Sequence, residues 1–445
     1  MAATRSGAPQ KNSLRQLGAA LFVGTTLEWY DYFVYGAAAA LALNKLFFPT
    51  YDPTVGTILA FGTFASAWIT RPLGAFIFGH LGDHIGRRRV LYLTLIGMGI
   101  ATIGTGLLPT YEAIGVWAPV LLIVFRMVQG LSAGGEFSGV ATMSIEHAPA
   151  ELRGRYSSLA QMGIPAALIG ANAVSLLAYH LPDEALYSYG WRIPFLVSGL
   201  IFPVAVYIRS KLHESPAFVE AQETDALVRR PLVDVVRGHW RTILALMFAN
   251  GAMGASFYAY GTYAVSYATA QMNLSRTVAL LSVLLAGLVH ITCVGVVGWF
   301  SDTIGRMKIF VAALAFLVMA PFPVFALINT GVPELYVLAI AVALGVGHGC
   351  AWAVAAVFFT ELFPPELRYS GSAISYQVSA ALLVGPVTIV CEILVGAADG
   401  APWYAAGFLS LICVAGLVGA LLLHPAARKS AAAAKDFVPA QGASL

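Results

Sequence analysis

Charged side chains are scarce in this chain of 445 residues. Asp, Glu, Lys and Arg together make up only 11% of it, whereas 59% of the residues are hydrophobic. Because soluble globular domains carry roughly 25% charged residues, a water-soluble protein of this length could not cover so much apolar surface. The composition therefore excludes a soluble fold and predicts that most of the surface faces lipid. The net charge of +3 gives no reason to expect a nucleic-acid partner.

Cysteine is rare as well, and metal-ligand spacing is absent. The four cysteines, Cys293, Cys350, Cys391 and Cys413, each lie inside an apolar run, which favours small buried side chains over disulfides. No set of His, Asp and Glu residues has the spacing of a metal site. An enzyme is therefore not expected, and neither is a cofactor other than a coupling proton.

Long apolar runs dominate what remains. A spanning helix needs about 20 apolar residues, and twelve runs qualify. We predict spans at 17–42, 56–82, 90–108, 116–145, 155–180, 191–210, 240–268, 277–300, 307–329, 334–361, 368–397 and 401–424. The first run is too long for a secretion signal and contains Glu28 and Asp31, so it is expected to be retained. The sequence predicts an all-α membrane protein, with six-helix halves at 1–210 and 240–445 joined by a cytoplasmic loop at 211–239.

Lys and Arg are distributed unevenly among the connecting segments. If both termini lie in the cytoplasm, twenty of the twenty-five basic residues fall on the cytoplasmic side, and only Lys45 and Arg276 lie in outside loops. Membrane proteins concentrate positive charge in their cytoplasmic loops. The sequence therefore predicts this orientation, and a shift of the count by one helix would destroy the asymmetry.

Two motifs occur once in each half. GHLGDHIGR at 79–87 and GWFSDTIGR at 298–306 follow spans two and eight, and ExxPxELR follows spans four and ten at 146–153 and 361–368. Parallel repeats of this kind are typical of one class of secondary transporters. The motif residues form either structural hairpins or a latch between the halves. They are Gly79, Asp83, Gly86, Arg87, Arg88, Asp302, Arg306, Glu146, Arg153, Glu361 and Arg368.

Several segments resemble a known family. GHLGDHIGRRR at 79–89 is similar to the signature of the major facilitator superfamily. LEWYDY at 27–32, RPLG at 71–74, RMVQG at 126–130, GGE at 134–136 and GWRIPF at 190–195 resemble its metabolite:proton symporter family. The resemblance implies a major facilitator fold, in which helices one, four, seven and ten line a central cavity. It also implies proton-coupled uptake across the bacterial inner membrane.

Span one carries Glu28, Asp31, Tyr32 and Tyr35 on one helical face. A charge at the bilayer centre costs about 3 to more than 10 kcal/mol, so this face is expected to line a polar interior. Two carboxyls one turn apart favour protonation of one of them. We predict that Asp31 is a proton or substrate site with Glu28 as its partner. Permanent pairing of one acid with an arginine is the structural alternative.

Spans two and four add charged residues at similar depth. Arg71 lies twelve residues before Asp83, about 18 Å along the helix. It needs an acceptor, which Glu28, Asp31 or Glu136 could supply, and it is predicted either to form a structural ion pair or to take part in substrate binding or coupling. In span four, Arg126, Gln129 and Glu136 share one face. Arg126 is predicted either to pair with a span-one carboxylate or to bind a substrate carboxylate through two hydrogen bonds.

Spans seven and ten supply neutral candidates. Tyr258, Tyr263 and Trp352 offer aromatic surface and hydrogen bonds, although aromatic residues at helical spacing are more often packing. His348 resembles a histidine of the shikimate-type branch of the family, and His290 in span eight is expected to be structural.

The leading functional prediction is proton-coupled symport of a small organic acid by a membrane protein, expected to be monomeric. One alternative is symport of a zwitterion such as proline or betaine, with an arginine on the carboxylate and aromatic rings on the cation. Export of a drug-like compound is a further alternative. A non-transporting sensor is disfavoured, because the largest polar segment is only about 28 residues long.

Overall fold

The structure is a computed structural model that describes residues 14–85, 87–134, 153–210, 231–364 and 367–436. Within these ranges the chain is helical and contains no strand. Twelve long helical segments follow one another along the described chain, joined by short connections. We number these segments α1 to α12.

The first six segments are α1 (Leu14–Leu41), α2 (Pro53–Ile85), α3 (Arg87–Leu107), α4 (Trp117–Ala133), α5 (Arg153–Gln161 and Gly163–Tyr179) and α6 (Ile193–Ser210). Four short helices, Leu43–Phe47, Tyr111–Ile114, Asp183–Ser188 and Gly190–Arg192, lie in the connections between them.

The last six segments are α7 (Pro231–Tyr258, Ala259–Tyr263 and Ala264–Ala270), α8 (Arg276–Ile304), α9 (Arg306–Met319 and Pro321–Ile328), α10 (Pro333–Ile340, Ala341–His348 and Gly349–Glu361), α11 (Arg368–Ser379, Ala380–Val384 and Val387–Gly396) and α12 (Trp403–Asp436). The two parts of α9 meet at an angle of 47°.

These bounds follow the predicted spans closely. They differ by at most four residues, except that α7 begins at Pro231 and α12 ends at Asp436; the predicted continuation of α4 to residue 145 lies outside the described residues. The two long extensions contain charged residues, such as Asp234 and Arg237 in α7 and Arg428 and Lys429 in α12. A hydropathy pattern marks the part of a helix that crosses lipid and not where the helix ends. By length and apolar composition alone, six described segments can cross a membrane, and the bent α9 makes a seventh.

Packing joins the segments into one bundle. In the first half α1 packs on α5 and α2 on α4, and in the second half α7 packs on α11 and α12. The segment α8 lies between α5 and α10, so it contacts both halves. The three segments with a π-helical turn, α7, α10 and α11, place these turns at Ala259–Tyr263, Ala341–His348 and Ala380–Val384. Such turns redirect side chains and are frequent at functional sites.

Candidate functional site

A buried chain of hydrogen bonds links α1, α3 and α4. Thr102 donates to Oδ2 of Asp31 at 2.7 Å and accepts a bond from Nε2 of Gln129 at 3.1 Å. Oε1 of Gln129 in turn accepts a hydrogen bond from Arg126. The second carboxylate oxygen of Asp31, Oδ1, is buried without a hydrogen-bond partner. Asp31 and Arg126 are therefore connected through two neutral side chains and not by direct contact.

Arg126 is enclosed by aromatic and backbone groups. Its guanidinium carbon lies 3.9 Å from the ring centre of Tyr35, and one of its terminal nitrogens donates to the carbonyl of Phe64 at 3.4 Å. The Tyr35 hydroxyl is held by Thr63 at 2.5 Å. The Nε–H of Arg126 is buried without a partner, so this arginine keeps unused hydrogen-bonding capacity.

Arg71 lies in an aromatic cage on α1 and α2. Its Nε donates to the Tyr32 hydroxyl at 3.1 Å, and its guanidinium carbon lies 4.3 Å from the ring centre of Trp68 and 5.3 Å from that of Trp29. Glu28 is close enough to interact electrostatically with Arg71. The structure thus places Glu28 near Arg71 of α2, whereas Asp31 accepts a hydrogen bond from Thr102 of α3. The two acids of α1 therefore interact with different helices.

A small central cavity separates the two halves next to this cage. About 30 Å³ is available in it to the centres of water molecules, which is room for one or two waters. Its wall is made by both halves and is mostly aromatic: Trp29, Trp68, Ile164, Asn250, Gly254, Phe257, Tyr258, His348, Trp352, Tyr376, Ala380 and Val384. This volume is too small for a metabolite.

Of the neutral candidates on α7 and α10, three reach this cavity and one does not. Tyr258, His348 and Trp352 line it. The imidazole of His348 stacks on Trp352 with ring centres 5.7 Å apart. Tyr263 is buried between Phe61 and Tyr267 at 6.3 Å from each ring centre, away from the cavity lining, and its hydroxyl has no hydrogen-bond partner among the described residues.

Charged contacts join helices at one end of the bundle, which holds residues 302–306 and 361 and which we call the motif face. Arg306 donates to Asp302 at 2.7 Å and to both carboxylate oxygens of Glu361 at 2.7 Å, which ties α8, α9 and α10 together. Asp302 also accepts the backbone N–H of Arg155 at 3.4 Å, and the guanidinium of Arg155 lies 3.3 Å from the ring centre of Trp299. These last two contacts join α5 to α8 across the halves.

The remaining motif residues are described only in part. Gly79, Asp83, Arg87, Arg88, Arg153 and Arg368 lie in helices, but the surroundings of these residues are outside the described part of the structure. Gly86, Glu136 and Glu146 lie outside the described residues altogether.

A second contact between the halves closes the opposite face, the end that holds residues 45, 183–187 and 276. Arg276 at the start of α8 donates to Asp183 at 2.7 Å and to the Tyr187 hydroxyl at 2.8 Å. Lys45 lies 5.0 Å from the ring centre of Tyr187. Hydrogen bonding to Arg276 lowers the pKa of the exposed Asp183 carboxyl below its usual value. Among the described residues, contacts between the halves are thus present at both faces.

We expect Asp183→Asn to weaken closure of the opposite face by the same amount at pH 5.5 and pH 8. The ordinary pKa of Asp is about 3.9, and a lowered pKa means that the pairing is lost only when the pH falls below that range. Exposed ion pairs contribute little, so the ratio of open to closed states is expected to rise by at most about fivefold. Distances between spin labels at the exposed positions Glu112 and Glu334, in a cysteine-free background, would measure this. If the effect of Asp183→Asn on the ratio of open to closed states changed clearly between pH 5.5 and pH 8, the assignment of Asp183 as an ionised partner of Arg276 would be contradicted.

The fold and family follow from comparison with known proteins. A family model described as Major Facilitator Superfamily matches residues 21–388. The chain belongs to the major facilitator superfamily. It is therefore a secondary transporter and not an enzyme, and the predicted architecture of twelve membrane helices in two halves is confirmed. A solved structure of a D-xylose–proton symporter superimposes with a TM-score of 0.72 at 18% identity, over 93% of this chain and 97% of that one.

Relatives among characterised proteins narrow the class to metabolite transporters. The chain is 33% identical to the shikimate transporter of Escherichia coli (strain K12) over 92% of this chain and 94% of the relative. It is 32% identical to the proline/betaine transporter of the same strain, over 94% of this chain and 84% of the relative. This major facilitator protein is thus similar to a shikimate transporter and to a proline/betaine transporter alike.

Three residues of the site carry little signal in the sequence. Thr102 and Thr63 are ordinary threonines in apolar helices, and only the packing of α3 and α2 brings them to Asp31 and Tyr35. His290 becomes relevant only because α8 places it 3.1 Å from His348. Trp68, by contrast, precedes Arg71 by three residues, so helical spacing alone places the two on one face.

Proposed function

We propose that this transporter couples the inward movement of protons to uptake of a small carboxylate-bearing metabolite by alternating access. The observation that carries the proposal is the arrangement of Asp31, Arg126 and Arg71. All three are buried, and each keeps one polar atom without a partner: Oδ1 of Asp31, Nε of Arg126 and one terminal nitrogen of Arg71. Unsatisfied buried polar groups are costly, so they mark places where a proton or a ligand is expected.

Asp31 is the proposed proton carrier. An ionised carboxylate away from water is costly unless it is fully hydrogen-bonded. Thr102 donates to Oδ2 of Asp31 and the Ser198 hydroxyl lies beside the carboxyl, but within the described part of the chain Oδ1 has no hydrogen bond of normal geometry. A proton arriving on Oδ1 would neutralise the carboxyl and leave the hydrogen bond from Thr102 intact. It would also remove the negative charge that is linked to Arg126 through Thr102 and Gln129, and the positive charge of Arg126 would then favour an anionic ligand. Proton binding and substrate binding would thereby stabilise each other, which is the requirement for symport.

Arg71 is the proposed anchor for the substrate carboxylate. It borders the cavity through Trp29 and Trp68, and it still has an unpartnered N–H group. Guanidinium groups bind carboxylates through two parallel hydrogen bonds. The aromatic walls suit an apolar carbon skeleton, and a metabolite could enter only if the halves separated, because the cavity is too small for one.

Transport into proteoliposomes tests this proposal. We expect an inward pH gradient of one unit to drive accumulation of at least one compound in a panel of shikimate, citrate, 2-oxoglutarate, proline and glycine betaine. Each coupled proton supports about tenfold accumulation per pH unit. Equal uptake with and without the gradient would exclude proton coupling, and uptake of no carboxylate would exclude the substrate class.

A zwitterion is the second candidate substrate, and the aromatic wall favours it. Trp29, Trp68, Tyr258 and Trp352 surround one cavity, and aromatic faces attract quaternary ammonium groups. Similarity to the proline/betaine transporter supports this candidate too. In the same panel, it predicts that glycine betaine competes with the transported compound and that citrate does not.

We further propose a placement in the bacterial inner membrane, with both termini and the motif face in the cytoplasm and the halves divided at 1–210 and 240–445. The excess of Lys and Arg on one side supports this orientation, and the named relatives come from bacteria with such a membrane.

A further inference from the structure

Two buried histidines meet beside the central cavity, and the proposed mechanism uses neither. Nδ1 of His348 on α10 lies 3.1 Å from Nε2 of His290 on α8. His290 is completely buried and His348 is 3% exposed. His348 alone of the two lines the cavity, where Phe257 and Trp352 pack against its ring at 4.8 and 5.7 Å between ring centres.

The backbone is built to allow this contact. Gly349 faces α8 so closely that a Cβ there would lie 2.8 Å from Cδ2 of His290 and 3.0 Å from Cβ of Cys293. A Cβ at Gly345, one turn earlier, would lie 2.8 Å from Cβ of Val289. Small residues one turn apart let two helices approach closely in a membrane. The pair of glycines on α10 therefore brings α8 and α10 close enough for the two imidazoles to form a hydrogen bond.

The surroundings decide which histidine donates. Both rings are buried, and charged imidazoles there would be costly, so each carries a single N–H. If His348 donated from Nδ1, the proton of His290 would be on its own Nδ1, an atom that is buried and has no hydrogen-bond partner. If His290 donates from Nε2 instead, its Nδ1 carries no proton and is only an acceptor without a hydrogen bond. Orphaned buried N–H groups are the rarer and costlier case, so donation from His290 is favoured.

We propose that His290 is a positioning residue that fixes His348 in the tautomer protonated at Nε2, so that His348 presents a hydrogen-bond donor to the substrate. The proposal rests on the transport function proposed above and adds a specificity element to it. With Arg71 holding a carboxylate at one side of the cavity, the opposite wall would then require an acceptor such as a hydroxyl or carbonyl oxygen. A substrate with a methyl group there would leave the His348 donor unpaired, which costs about 10- to 100-fold in affinity.

Nitrogen NMR tests the tautomer without any substrate. The full-length protein in nanodiscs, labelled with ¹⁵N-histidine, has nine histidines, and spectra of His290→Gln and His348→Gln assign the two signals. We expect both residues to be protonated at Nε2 and unprotonated at Nδ1. A His348 protonated at Nδ1 would overturn the proposal. Because no ligand is present, this result is independent of whether the proposed transport is found.

Matched variants then test the role in transport, with the compound of the five-member panel that is taken up fastest. His348→Gln keeps an N–H near the Nε2 position, whereas His348→Asn does not reach it. We expect Asn to raise the KM by about 10- to 100-fold and Gln to change it by less than about threefold. His290→Leu should raise the KM and shift the His348 nitrogen signals. His290→Gln, whose amide can still donate to Nδ1 of His348, should keep the KM and these signals close to those of the unchanged protein. Equal KM values for the paired variants would refute the role, provided that all variants remain monodisperse.

Discussion

Asp31→Asn is expected to abolish accumulation driven by a pH gradient while leaving exchange of substrate across the membrane intact. The amide oxygen of Asn can still accept the hydrogen bond that Thr102 donates to Asp31 at 2.7 Å, so the link from α1 to α3 is retained. The amide cannot bind and release a proton, so the residue linked to Arg126 through Thr102 and Gln129 stays permanently neutral. With a one-unit gradient we expect the accumulation ratio to fall from about tenfold per coupled proton to unity. Counterflow in proteoliposomes, which needs no net proton movement, would proceed at a rate similar to that of the unchanged protein.

Asp52→Asn is the matched control for that variant. Asp52 is exposed just before α2, and its Oδ1 accepts the backbone N–H of Thr54 at 2.9 Å. Asn caps helices about as well as Asp, so neither accumulation nor counterflow should change. Gradient-driven accumulation that survives in Asp31→Asn would move the proton site elsewhere, and Glu28 beside Arg71 would be the first residue to test. Loss of counterflow as well would show that Asp31 is needed for the structural transition itself.

The sequence predicts the helices well because lipid imposes a simple rule on them. About 20 apolar residues are needed for each crossing, and a buried charge such as Arg71 or Arg126 stands out against that background. The partners of these charges are harder to predict, since they come from other helices. Glu28 and Asp31 lie one turn apart on α1, yet they serve different neighbours, Arg71 and Thr102. A difference of three residues along one helix decides which partner each carboxylate contacts, and the spacing of the two acids in the sequence does not reveal these partners.

The site in the second half depends even more on packing. His348 could be singled out because a histidine is unusual in an apolar helix, but the role proposed for it comes from His290, which lies 58 residues away in the sequence. The π-helical turns in α7, α10 and α11 have no clear sequence signature, and the turn in α10 ends at His348. A single sequence therefore predicts where each helix lies along the chain, but it does not predict the contacts between side chains of different helices.

Gly130→Ala is expected to be among the most damaging single substitutions in the chain, because it would force α2 and α4 apart. A Cβ at Gly130 would meet the backbone carbonyl oxygen of Ala67 and lie 2.7 Å from its carbonyl carbon. Gly134 one turn later is equally close to α2, where a Cβ would lie 2.6 Å from the backbone nitrogen of Ala75. Backbone atoms cannot move aside as a flexible side chain can. Overpacking of this kind costs about 1–3 kcal/mol in stability, and we expect a lower melting temperature.

The same displacement should reach the binding site, because Arg71 and Trp68 lie on α2 and Arg126 lies on α4. A misplacement of about 1 Å can cost a site about 100-fold in rate, so uptake should fall by at least about tenfold. Gly62→Ala is the control, since a Cβ at this α2 position has no heavy atom within 4 Å. Ala is favoured over Gly in a helix by about 1 kcal/mol, so this variant should melt at the same or a higher temperature. If Gly130→Ala lowers the melting temperature and uptake while Gly62→Ala lowers neither, the close approach of α2 and α4 positions the arginines. If the two substitutions have equal effects on both quantities, the helices can separate without loss of the site.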